Sequence, residues 1–119
     1  VSMASQIWMV LSGAVTGQDA KDCLLNAAKV PDVRKPFTPY LRNYWIEALD
    51  VAGLRDTARK ELLEYWGGMA KRGADTFWEG FVPEDDFFSP YGNHLINSYC
   101  HAWSCAPCYF LRRWAAPAR

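Results

Sequence analysis

Ile7, Trp8, Leu11, Ala14 and Val15 fall at i, i+1, i+4, i+7 and i+8, which predicts a helix over residues 4–15 with Gly17 as its stop. A second helix is predicted over 18–29. Gln18 and Asp19 stand near its start, and Cys23, Leu24, Ala27 and Ala28 share one face. Pro31 and Pro36 then break the period in a loop, VPDVRKPF. The clearest helix follows. Thr38 can accept a hydrogen bond from the free N–H groups of the first turn, and Pro39 loses nothing at the first helical position. Tyr40, Leu41, Tyr44, Trp45, Ala48, Leu49 and Ala52 make its apolar stripe, ended by Gly53. The short GLRD connection leaves room only for a tight antiparallel hairpin. The next helix is predicted over about 54–71, with Leu62, Tyr65, Trp66 and Met69 on one side. Gly73 should close it with positive φ.

Residues 73–93 show no sustained period, and VPEDDFFSPYGN reads as a surface loop with a turn near Pro90–Gly92. A last helix is predicted from near Asn93 to about Trp114. Leu95, Tyr99, Ala102, Ala106, Tyr109 and Phe110 lie on one face, and Ile96, Cys100, Trp103 and Leu111 adjoin it. So wide an apolar arc predicts burial on more than one side, and Pro107 inside it predicts a kink. The expectation is all-α: five helices arranged as hairpins, with no strand.

A chain of 119 residues fits a single domain. Half of it is hydrophobic, and six Trp in so short a chain argue against disorder. Thirteen basic and thirteen acidic residues cancel, and no basic run interleaves with the aromatics, so nucleic acid is not an expected partner. Apolar runs break well before the ~18 positions a membrane-spanning helix needs. VSMASQIWMVLSGAV lacks a basic region and reads as a packed helix, not a signal peptide; both ends of the chain read as cut.

Cys100, Cys105 and Cys108 fall within nine residues, and Cys23 stands apart. A thioredoxin-like C-x-x-C should sit in a βαβ pattern, which is missing here. A zinc site on Cys100, His101, Cys105 and Cys108 would have adjacent first ligands that converge poorly on one ion. The four thiols therefore read as reduced packing residues, with no metal and no cofactor expected.

GADTFWEGF, residues 73–81, poses the sharper question: Glu79 directly follows Phe77 and Trp78, with Phe81 two positions on. A carboxylate among rings either points outward or has a partner or a job. Two segments decide how it is read. GADTFWE (73–79) and NSYCHAWSCAPCYFLRR (97–113) resemble the closing part of the catalytic domain of bacterial α-L-rhamnosidases. These are glycoside hydrolases built as an (α/α)6 toroid of six helical hairpins. In that family a Gly-Ala-x-Thr-x-Trp-Glu stretch leads into the barrel mouth, and a His-x-Trp-Ser segment follows around twenty residues later. Glu79 and His101 are 22 positions apart. TPYLRNYWIEALDVAG and ELLEYWGGMAKRGA resemble the preceding hairpin, so the resemblance covers most of the chain.

The resemblance implies that Glu79 is the general base, that His101 hydrogen-bonds the sugar, and that Trp78 helps form the pocket wall. Trp103 is as readily core. An inverting glycosidase sets two carboxyl groups about 6.5–9.5 Å apart with a water between base and sugar. Rings beside the base are expected to desolvate it and raise its proton affinity. The family's general acid lies upstream, and no residue here matches its motif; Asp85 and Asp86 read as solvated. Five helices cannot close a toroid of twelve. The chain is therefore expected to be the C-terminal portion of a six-hairpin domain, inactive by itself, whose exposed apolar helix faces would favour a homo-oligomer. Two rival readings are a small helical interaction module whose Trp residues are simply core, and a Cys/His metal or redox protein.

Overall fold

Thr38 caps the helix it was predicted to cap: its side chain accepts from the Leu41 N–H, and Pro39 opens the first turn. The structure, a computed structural model, describes residues 2–116. Its helices are α1 (Met3–Leu11), α2 (Gly17–Lys29), α3 (Pro39–Val51), α4 (Arg55–Lys71) and α5 (Ala106–Ala115), with 3₁₀ turns at His94–Ile96 and Ala102–Ser104. Among the described residues there is no named strand, and the all-α expectation holds.

Gly53 and Gly73 end α3 and α4 in the same way. Each takes positive φ, +79° and +87°. At the first, the Gly53 N–H donates to Asp50 O and the Leu54 N–H to Leu49 O; at the second, Gly73 donates to Ala70 O and Ala74 to Met69 O. Both are Schellman closures that satisfy carbonyls a helix end would leave orphaned.

α3 is the hub. It packs on α1 and α4, and α1 also pairs with α2. Ile7, Leu24, Ile46, Leu49, Leu62, Met69 and Phe110 fill the core between them. Asp50, buried in α3, takes Arg55 Nε at 2.8 Å and has Arg113 Nη2 at 3.5 Å, so one carboxylate ties α3 to the start of α4 and to α5. Tyr65 Oη lies 3.0 Å from both Phe37 O and Phe81 O, and its burial pushes the phenol above its ordinary range. The whole measures 43 × 37 × 20 Å with a radius of gyration of 14.7 Å. A compact domain of this length would have about 13.5 Å. The chain is thus a flattened plate, and Trp8, Tyr40, Leu63 and Leu95 are exposed on it.

Three expectations fail. The first helix stops at Leu11, because the Ser12 hydroxyl donates to Met9 O and accepts from the Ala14 N–H, turning the chain early; Gly17 begins α2 instead. The helix predicted from 93 to 114 is absent before 106. Asn93 caps only a 3₁₀ turn, and residues 98–101 pair with 76–79 instead. Leu95, Ile96 and Tyr99 are consequently exposed, and Pro107 lies in the first turn of α5, where it needs no N–H and causes no interior kink. Cys100, Cys105 and Cys108 are exposed, not packed; only Cys23 is half-buried, donating to Gln6 Oε1.

Two adjacent glycines in α4 make opposite predictions. A Cβ on Gly68 would stand 2.9 Å from Phe81 Cε1, whereas one on Gly67 would meet nothing within 4 Å. Gly67→Ala should raise stability by about 0.5–1 kcal/mol through helix propensity. Gly68→Ala should lower it by roughly 1–2 kcal/mol, since overpacking against a buried ring outweighs that gain. Chemical denaturation of the two variants checks the pair, and equal shifts would contradict the close approach of Phe81.

Candidate active site

Glu79 lies in the stretch that leaves α4, and two short antiparallel segments fix it. The Glu79 N–H donates to Ser98 O at 2.9 Å, and the His101 N–H to Phe77 O at 2.7 Å. The Thr76 hydroxyl donates to Tyr99 O. This pairing places the Trp-Glu segment beside the His-x-Trp-Ser segment, 22 positions on.

The Glu79 side chain is 5 % exposed and both its oxygens are engaged. Oε1 accepts from the Tyr91 hydroxyl, and Oε2 accepts from the Ser98 N–H at 2.8 Å. The Tyr91 hydrogen bond, then the Ser98 N–H, hold the carboxyl below its ordinary range; desolvation opposes them and His101 adds to them. The rise in proton affinity expected from neighbouring rings is therefore corrected. Hydrogen bonds to the charged form outweigh desolvation, and the group is kept ionised.

His101 is half-buried, its ring centroid 4.3 Å from that of Trp103. The Trp103 indole N–H donates to Glu79 O at 3.2 Å, so Trp103 ties the two segments together. From Trp103 a row of rings continues through Tyr40 (5.7 Å between centroids) and Tyr44 (5.2 Å) to Trp8 (4.7 Å). Trp8, Tyr40 and Trp103 are 46 %, 47 % and 39 % exposed. α1 and α3 thus present an open aromatic face that ends at the imidazole. Behind the site, the Trp66 indole N–H donates to Ser104 O at 2.7 Å and lies 3.1 Å from Ser104 Oγ, anchoring the 3₁₀ turn that follows His101.

Of the residues singled out by sequence, Glu79 and His101 come together and Trp78 does not join them. Trp78 turns to the other side, packed edge-on against Tyr99 and Phe81, and lines a separate cavity of about 280 Å³. None of the five principal cavities among the described residues has Glu79 or His101 in its wall. Tyr91 and Ser98 were missed. The only hint in the sequence was the turn-forming PYGN, which brings Tyr91 back over the carboxylate. No cluster of three or more metal-ligating side chains occurs among the described residues. No helix there is long and apolar enough to cross a membrane.

The hydrogen bonding of Glu79 has a pH consequence. Its affinity for a proton is lowered on folding, so the stability it contributes is present above the ordinary value of 4.5 and is lost as pH falls through the depressed native value. Tyr91→Phe removes the largest cause. The Glu79 carboxyl should then titrate closer to 4.5, read by carbon NMR, and the loss of stability at acid pH should shrink.

No family model matches the chain, and no curated protein matches it. A solved structure does: a rhamnosidase from Klebsiella oxytoca with rhamnose bound, similar over 98 % of this chain at 51 % identity with a TM-score of 0.90. The match covers 23 % of that protein, so the chain spans about a quarter of its length. The resemblance read from the two motifs is borne out: these hairpins match part of a rhamnosidase, an incomplete portion of its toroid.

Proposed function

We propose that this chain, the counterpart of part of a rhamnosidase, carries the general-base side of a glycoside hydrolase that releases terminal α-L-rhamnose with inversion. Glu79 is the observation that carries the reading. It is a carboxylate shielded from solvent, held ionised by Tyr91 and Ser98, with His101 beside it, in a chain 51 % identical to a rhamnosidase with rhamnose bound.

An ionised carboxylate with both oxygens positioned can orient a water and take its proton as the water attacks the anomeric carbon. His101 supplies a hydrogen bond to the sugar, and the exposed rings of Trp103 and Tyr40 offer flat surfaces to its C–H faces. Trp78 supports the base from behind. Residues 1–119 act as the C-terminal portion of a six-hairpin catalytic domain, and the general acid comes from another segment. Without it the isolated chain is inactive, because removing one of two cooperating groups costs most of the rate. The open aromatic face is closed by the remaining hairpins or, in the isolated chain, by self-association.

Inversion is the direct test. When the full-length enzyme cleaves an aryl α-L-rhamnoside, proton NMR should find β-L-rhamnose first, with the α anomer growing in later. Initial release of the α anomer would require a nucleophile in place of a base and would overturn the assignment.

A further inference from the structure

We propose that Cys105 and Cys108 are a dithiol which a low-molecular-weight disulfide oxidises to an internal bridge across the first turn of α5. Both thiols are free and exposed. Cys105 is the cap residue of α5, and Pro107 stands in its first turn. The Cys108 N–H donates to Cys105 O at 3.0 Å, a bond between residues three apart. Side chains at that spacing eclipse in a 3₁₀ turn and share a face in an α-turn. Helix geometry sets the two Cα atoms about 5 Å apart in an α-turn and ~6 Å apart in a 3₁₀ turn. A disulfide spans Cα separations of about 4.4–6.8 Å. The βαβ setting of a dedicated oxidoreductase is missing, but the turn itself already has the span of the bridge.

The residues around the pair hold that span. Ala106 is buried, and the ring of Pro107 fixes its own φ. Ser104, directly before the pair, is tied to α4 because its carbonyl accepts the Trp66 indole N–H at 2.7 Å. A second thiol held one turn away competes well against thiols in solution, since its ordering is already done. The exchange balances in two steps. One cysteine thiolate attacks a sulfur of the small disulfide, whose S–S bond breaks and whose other half leaves as a thiolate. The second cysteine thiolate then attacks the protein sulfur of that mixed disulfide and expels the remaining half. The two cysteines lose two electrons, the small disulfide gains them, and the two thiol protons pass to the released thiolates. The other cysteines have no such partner. Cys100 belongs to the segment paired with 76–79, and three positions on from it stands Trp103. Cys23 lies in α2 with its Sγ donating to Gln6 Oε1 at 3.0 Å. None of this depends on the role given to Glu79.

The test is oxidation of the reduced 119-residue chain in mixtures of reduced and oxidised glutathione, read by intact mass and peptide mapping. The peptide that carries Cys105 and Cys108 should lose two hydrogen atoms and hold no glutathione. Cys105→Ser and Cys108→Ser, both at exposed positions, should each stop at one glutathione on the thiol that remains. Cys100→Ser should form the bridge as the parent does. In denaturant the ratio of bridge to mixed disulfide should fall about tenfold, because the folded turn supplies the preorganisation. Three results would overturn the proposal. The first is glutathione accumulating on Cys105 or Cys108 of the parent with no bridge. The second is a bridge that joins either of them to Cys100 or to a second chain. The third is a ratio that denaturant leaves unchanged.

Discussion

Glu79→Gln should lower kcat of the full-length enzyme by about 100- to 10,000-fold, the usual worth of a positioned general base, with sugar binding little changed. The variant should also fold. Glutamine keeps one acceptor oxygen for the Ser98 N–H, which now bonds Glu79 at 2.8 Å. Its amide nitrogen then faces Tyr91, whose hydroxyl is both donor and acceptor and can turn to receive an N–H. No buried partner is stranded. Unfolding should therefore shift by no more than about 1 kcal/mol, the net worth of one hydrogen bond. Glu79→Ala is the poorer experiment, because it leaves the Ser98 N–H unpaired and mixes loss of structure with loss of chemistry. Measured kcat equal to that of the parent, in a folded Glu79→Gln variant, would remove Glu79 from the mechanism.

The parts of the chain that were legible share a physical character. Helices α2, α3 and α4 follow from their apolar period together with local end signals. Thr38-Pro39 starts one, and Gly53 and Gly73 stop two, through hydrogen bonds that span only a few residues. Residues 93–105 were misread because their helical spacing is real, yet their backbone groups are claimed by a partner distant in sequence. Ser98 and His101 bond the stretch that leaves α4, about twenty residues earlier, and no local pattern announces that.

The candidate site divides along the same line. Glu79 and His101 could be named because a family resemblance carried them, and their mutual approach then follows from the pairing of 76–79 with 98–101. The sign of the Glu79 shift could not be read. It depends on Tyr91, whose phenol reaches the carboxylate only once the loop has turned at Pro90–Gly92. Exposed apolar helix faces were expected, but which residues would form them was not legible. Trp8, Tyr40 and Tyr44 carry helical spacing indistinguishable from core, and only the flattened shape of the chain leaves them exposed or half-buried.

Trp66→Ala should destabilise the chain by about 3–5 kcal/mol, the range for emptying a large buried aromatic site. Trp66 lies in α4, 7 % exposed, with Tyr65 packed edge-on at 4.9 Å. It is also the one side chain of α4 that hydrogen-bonds the turn after His101, through Ser104 O and the fully buried Ser104 Oγ. Truncation therefore opens a cavity and leaves two buried oxygens without their donor. Trp66→Phe separates the two effects: it keeps most of the ring volume, removes the N–H, and should cost about 1–3 kcal/mol. Thermal or denaturant unfolding reads both numbers. The turn at 102–104 holds Trp103, and Trp103 holds the Glu79 carbonyl, so the loss should reach the site as well. In Trp66→Phe the amide resonances of His101 and Glu79 should move even where the variant is fully folded. If they stay fixed, the anchor under the imidazole lies elsewhere, and α4 contributes volume to this site but not its geometry.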